Sequence, residues 1–198
     1  MNISTALIAA CTVLSAVGAA QAVPGAAPPK VVQACQQCHG AGGNSTNPNV
    51  PRLNGQQRGY LEARLKALRD PTRQTPPAIH AMWDLANHIA DDDIPVIAAY
   101  FASQSPTPAN GHGALADQGR KLYERGASED IPACQSCHGA NGEGQGNVPR
   151  LAGQHQDYLA MQILDFRLTM RPHPLMSVKT RFVNDEQIKA LAAYLAGH

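Results

Sequence analysis

The chain has 198 residues, with 16 Lys+Arg against 15 Asp+Glu and a formal net charge of +1. That balance excludes the basic footprint of a nucleic-acid binder and gives no sign of a strongly acidic partner. Aromatic residues make up only 5% of the chain, with one tryptophan, so two small domains of this composition need something else buried in them to complete their cores.

The first 22 residues contain no Lys, Arg, Asp or Glu and end in Ala20-Gln21-Ala22. An apolar run before a small-residue cleavage pattern marks residues 1–22 as a secretory signal peptide. Cys11 lies inside that run, in Ile8-Ala-Ala-Cys11, which resembles a lipoprotein cleavage box. The apolar stretch ahead of it is short for lipidation, and the run is shorter than the ~20 apolar residues of a spanning helix. The mature chain is expected to be exported, soluble and periplasmic.

Next comes Cys35-Gln-Gln-Cys38-His39, and far downstream Cys134-Gln-Ser-Cys137-His138. C-x-x-C-H is the attachment motif for haem c. Two thiols three positions apart can each form a thioether with one vinyl group of the same porphyrin. The adjacent histidine then sits under the ring and offers an imidazole nitrogen to iron. The expected cofactors are two covalently attached haem c groups, on Cys35, Cys38, Cys134 and Cys137, with His39 and His138 as iron ligands. A zinc site and a redox dithiol are the competing readings. Paired zinc motifs lie closer in sequence than these two, and a dithiol explains neither the histidine nor the duplication.

The duplication extends well beyond the motif. Val50-Pro-Arg-Leu-Asn-Gly-Gln56 matches Val148-Pro-Arg-Leu-Ala-Gly-Gln154, Tyr60-Leu61 matches Tyr158-Leu159, and the last helix of each half carries Ala-Ala-Tyr. Residues 23–104 and 114–198 are therefore expected to be homologous domains, with residues 105–113, rich in Pro and Gly, as linker. Each half reads as helices joined by loops. Leu61, Leu65 and Leu68 share one face of a middle helix stopped by Asp70-Pro71, and Leu159, Ile163 and Phe166 share one stopped by Arg171-Pro172. A short helix over Gly119–Gly126 precedes the second motif, with a remnant at 30–34 before the first. In the last helices, Ile94, Ile97, Ala98 and Phe101 line one face, as do Ile188, Leu191, Ala192 and Leu195. Asp92 and Asn184 are the candidate N-caps. The class is all-α.

Each iron has a second axial position. Met82 and Met176 lie 12 residues before Ile94 and Ile188, the same place in the repeat. A thioether there stabilises ferrous iron and raises the potential. His80, His88 and His173 are the rival ligands, and bis-histidine ligation would lower it. Arg52 and Arg150, matched in the repeat, are either propionate partners or loop cations. Tyr60 and Tyr158 either cap a propionate or pack.

The ordered set Cys-x-x-Cys-His-Gly, Pro-x-Leu-x-Gly-Gln, Tyr-Leu, Met, then Ala-Ala-Tyr resembles the cytochrome c4 family over both halves. The resemblance implies two tandem class I cytochrome c domains and His/Met ligation by His39 with Met82 and His138 with Met176. It also implies a periplasmic electron carrier, rather than an enzyme, serving a membrane quinol-oxidising donor and a terminal oxidase. Such a carrier is a monomer, peripheral membrane association being compatible with its role. The sequence departs from the pattern in the proline-rich Gln74–Ala81 insert and in the short Arg171-Pro-His-Pro-Leu-Met176. The runner-up is the haem subunit of a larger dehydrogenase, such as a flavin-containing sulfide dehydrogenase. A third reading, a dihaem peroxidase or thiosulfate-type enzyme, needs one open iron.

Overall fold

The computed structural model describes residues 28–70 and 80–197, with only the backbone of His80 and Ala81. The expected signal peptide, Cys11 and most of the proline-rich insert lie outside the described residues. Those residues form helices α1 (Lys30–His39), α2 (Arg58–Leu68), α3 (His80–Asn87), α4 (Asp93–Ala102), α5 (Ala114–Arg125), α6 (Gln135–His138), α7 (Gln156–Arg167), α8 (Met176–Thr180) and α9 (Asp185–Leu195), plus a 3₁₀ turn at Ala41–Gly43. No strand occurs among them; the only β pairs are two isolated bridges. The all-α class holds.

Two separate cores follow the duplication. One gathers Val32, Cys35, Leu61, Ile97, Ala98 and Phe101. The other gathers Leu122, Tyr123, Ile131, Leu159, Val183, Ile188, Leu191, Ala192 and Leu195. The expected apolar faces of α4 and α9 are the faces that are buried, each large aliphatic or aromatic side chain contributing about 1.5–3 kcal/mol. In the second half α5 crosses α9 closely enough that a Cβ at Gly119 would lie 1.9 Å from the Ala190 carbonyl oxygen. Glycine is what permits that approach.

Several boundaries differ from the sequence expectations. The remnant at 30–34 is the start of a full helix that runs through the motif. The segment expected from Gly119 begins five residues earlier, at Ala114. The middle helix α7 ends at Arg167, ahead of Pro172, because the chain turns at Thr169, whose φ is +58°. Asn184 makes a complete capping box with Gln187, whereas Asp92 makes no side-chain cap bond. α3 and α8 had no periodicity to announce them. They pack on the middle helices, α3 on α2 and α8 on α7.

Matched arginines close each half. Arg69 reaches the Ala86 and Ile89 carbonyls and the Asp91 carboxylate. Arg167 reaches the Val183 carbonyl at 2.8 Å and Asp185 at 2.6 Å. Each ties the end of a middle helix to the approach of the last one. Residues 103–113 form no helix or strand, and they are held in place. The Asn54 amide donates to the Ser105 carbonyl at 2.8 Å and to Thr107 Oγ1 at 3.1 Å, and the Asn110 N–H donates to the Ala196 carbonyl at 2.9 Å.

Candidate haem sites

Each motif histidine is the last residue of its helix, and a glycine ends the helix at once. Gly40 has φ +77° and Gly139 φ +84°, a left-handed conformation that any side chain would strain. A Cβ at Gly40 would also lie 2.6 Å from the Asn44 carbonyl oxygen. The sharp exit sends the chain past the imidazole it has just placed.

The returning segment supplies the partner. His39 Nδ1 donates to the Pro51 carbonyl at 2.8 Å, and His138 Nδ1 donates to the Pro149 carbonyl at 3.1 Å. A carbonyl only accepts, so Nδ1 carries the proton and Nε2 keeps the lone pair that a metal needs. Both rings are buried, at 4% and 7% exposure. Burial pushes both imidazoles below their usual range, against the opposing pull of the carbonyl bond. Neutral, oriented imidazoles result, as iron ligation requires.

The thiols fit the same use. Cys35 is buried, Cys134 half-buried, Cys38 and Cys137 exposed, and none is in a disulfide. Burial raises the Cys35 thiol and pushes that of Cys134 up to about 11, which disfavours the reactive thiolate of a redox dithiol. Among the described residues no group of three or more His, Cys, Asp or Glu converges as a zinc site would need.

Met82 is the third residue of α3 and Met176 the first of α8, both half-buried. Among their rivals, the His80 side chain lies outside the described residues. His88 is exposed, with Nδ1 against the Asp84 carbonyl at 2.8 Å. His173 is exposed, and its Nδ1 accepts from the N–H groups of Leu175 and Met176 at 3.3 and 3.2 Å, so its ring is used in placing Met176.

The two matched arginines have diverged. The Arg52 side chain donates from Nη1 to the Gly153 and Gly197 carbonyls, at 2.8 and 2.9 Å, and from Nε to the Ser45 carbonyl at 3.3 Å. It clasps the second half. Arg150 Nε is buried without a hydrogen-bond partner among the described residues. Tyr60 lies between the halves, its hydroxyl accepting from Arg171 Nη2 at 3.0 Å, while Arg171 lies 4.6 Å over the Phe166 ring.

Sequence reasoning missed Gln56 and Gln154. Gln56 Nε2 donates to the Arg150 carbonyl at 2.9 Å while its Oε1 accepts the Arg150 N–H at 2.7 Å. Gln154 does the same to Arg52, at 2.9 and 2.8 Å. Their repetition in the Pro-Arg-Leu-x-Gly-Gln motif was the available signal.

The cytochrome c family model matches residues 27–105 and again residues 116–198. The chain belongs to the cytochrome c family. Among relatives, cytochrome c-552 of Acidithiobacillus ferridurans is 38% identical, over 98% of this chain and 84% of its own. A protein named thiosulfate dehydrogenase electron acceptor, of Thiomonas intermedia, is 34% identical over 96% of this chain and 89% of its own. The crystal structure of reduced cytochrome c4 from Pseudomonas stutzeri superposes with a TM-score of 0.77 at 36% identity, covering 84% of this chain and 94% of that one. Within the cytochromes c, this chain is of the c4 kind: two tandem domains, two covalently bound haem c groups and an electron-carrying role.

Proposed function

We propose that the protein takes single electrons from a membrane quinol-oxidising donor and delivers them to a terminal oxidase, as a periplasmic carrier exported on residues 1–22. The observation that carries this is the matched pair of buried histidines, each with Nδ1 tied to a proline carbonyl. Haem supplies the one-electron chemistry when bound, and the chain's residues hold, orient and insulate it. Cys35, Cys38, Cys134 and Cys137 are the thioether anchors. His39 with Met82 and His138 with Met176 are the axial pairs, and the domains are 23–104 and 114–198. Arg150 is the arginine we assign to a propionate, since the guanidinium of Arg52 is engaged with carbonyls of the other half.

A redox titration of the mature holoprotein, following the haem bands and the weak band of Met sulfur on ferric iron, tests the reading. Two high-potential one-electron steps with the sulfur band at full two-haem intensity are expected. One low step, or half the sulfur intensity, overturns one His/Met pair and with it the plain carrier.

A second reading, a haem subunit held by a dehydrogenase, has its own support. Leu168, Leu175, Val178 and Phe182 are between 56% and 66% exposed around α8, the kind of apolar surface a lasting partner covers. A stable complex co-purifying from the native source would favour it.

A further inference from the structure

Between the two halves, the bonds form a crossed pattern. The peptide joining Pro51 to Arg52 has its carbonyl on His39 Nδ1, at 2.8 Å, and its N–H on Gln154 Oε1 of the other half, also at 2.8 Å. The peptide joining Pro149 to Arg150 has its carbonyl on His138 Nδ1, at 3.1 Å, and its N–H on Gln56 Oε1, at 2.7 Å. One amide therefore separates each motif histidine from a side chain of the opposite domain. Both glutamines are 7% exposed. Their orientation is fixed twice over, because each Oε1 also accepts the N–H of the following residue, Gln57 at 2.8 Å and His155 at 3.0 Å.

We propose that Gln154 and Gln56 are positioning residues that tune the reduction equilibrium of the haem in the opposite domain, each through that single shared peptide. The proposal rests on His39 and His138 being the iron ligands. A peptide whose N–H is drawn into a hydrogen bond puts more negative charge on its carbonyl oxygen, because the two groups are conjugated. The stronger acceptor pulls harder on the histidine Nδ1 proton. The imidazole becomes a better donor to iron, favouring the ferric state and lowering the potential. Without the glutamine the opposite haem is easier to reduce. The arrangement makes the domain interface part of each haem's electronic environment, so a partner that strains the interface alters both equilibria. The bonds seen across the interface would also exist if they merely joined the domains, and the crossed assignment separates the two roles.

The test uses the full holoprotein, with the two haems resolved by proton NMR of their methyl groups during a redox titration. Gln154→Met keeps the volume and offers the N–H only a weak thioether acceptor. Its expected result is a shift of about threefold in favour of reduction at the haem on His39, tenfold being 59 mV for a one-electron couple, with the haem on His138 moved far less. Gln56→Met should act on the haem of His138, and more weakly, since its histidine bond is the longer one. Gln154→Glu keeps the acceptor and strengthens it, so the haem on His39 should move toward oxidation, and by more than its neighbour; this variant carries the test if Gln154→Met does not assemble. The His39 Nδ1 proton resonance should shift in opposite directions in the Met and Glu variants. Equal movement of both haems, movement of the haem in the variant's own domain, or no movement overturns the proposal. A wild-type spectrum without histidine-ligated haem overturns the ligand reading as well, whereas intact ligation with an uncrossed pattern overturns the tuning alone.

Discussion

The two halves place the same histidine in the same way and support it differently. In the first, α1 runs unbroken for ten residues, burying Val32 and Cys35 against α4 before it ends at His39. In the second, the motif helix α6 has only four residues. A separate helix, α5, crosses α9, and Tyr123 from α5 is fully buried with its hydroxyl donating to the Gly139 carbonyl at 2.5 Å. The motif itself therefore needs one turn of helix and a terminating glycine. A helix crossing the last one holds it, and that helix is continuous with the motif in one half and detached in the other.

The detached arrangement is the more vulnerable, and it is where the largest effect is expected. Gly119→Val puts a side chain where a Cβ alone would meet the Ala190 carbonyl oxygen at 1.9 Å. The crossing must open, at a cost of about 3 kcal/mol. Thermal unfolding followed at the haem bands should resolve into two steps, native ligation at the haem on His138 lost first and that at the haem on His39 near its wild-type temperature. Loss of both in one step would mean that the halves unfold as a unit, and the comparison would fail.

A second contrast lies where the last helices begin. Asn184 accepts from the Gln187 N–H at 2.8 Å while the Gln187 side chain returns the bond to the Asn184 N–H at 2.9 Å. Asp92, at the matching boundary, bonds nothing of its helix with its side chain. Asn184→Ala should cost about 1 kcal/mol in urea unfolding, and Asp92→Ala should stay within about 0.5 kcal/mol of wild type. Equal costs would show that the cap difference is inconsequential.

What could be read in the sequence was whatever local chemistry dictates. The faces of α4 and α9 followed from apolar spacing, and the Asn184 cap from its own four-residue pattern. The haem motif followed from thiol and imidazole geometry. The helices bearing the methionines were hidden for a physical reason. α8 is five residues long and α3 eight, too short for a periodic stripe to emerge, and their stability comes from packing on the middle helices. Asp92 misled because an acidic residue before an apolar run suits a cap, yet the chain there is already helical, with ψ −21°. Arg52 was legible only in part. A cation beside a haem motif suggests a propionate partner or a loop contact, and the sequence does not choose between them; its acceptors are the nearby Ser45 carbonyl and two carbonyls 101 and 145 positions away. Gln56 and Gln154 were visible as a repeat, while their role was not, because each one's partner is in the other copy.

Position 57 and its repeat equivalent, 155, offer the finest comparison. Gln57 donates from Nε2 to the Glu143 and Gly144 carbonyls, at 2.9 and 3.2 Å, and does not titrate. His155 is buried, and its Nε2 has no hydrogen-bond partner among the described residues. Burial lowers its proton affinity from the ordinary 6.5, the Arg52 guanidinium lowers it further, and the Ser45 backbone and the Asp157 carboxylate pull the other way. The folded state thus prefers neutral His155, and the unfolded chain binds the extra proton more readily. Stability from this residue is fully present above about pH 6.5 and declines as pH falls through that value, because protonation then favours the unfolded state. His155→Gln copies the first half's solution and removes the titration. The urea midpoint of wild type should fall further than that of His155→Gln between pH 7.5 and pH 5.5, the smallest of the three effects. Parallel declines would place the acid sensitivity elsewhere and leave the two positions equivalent despite their different chemistry.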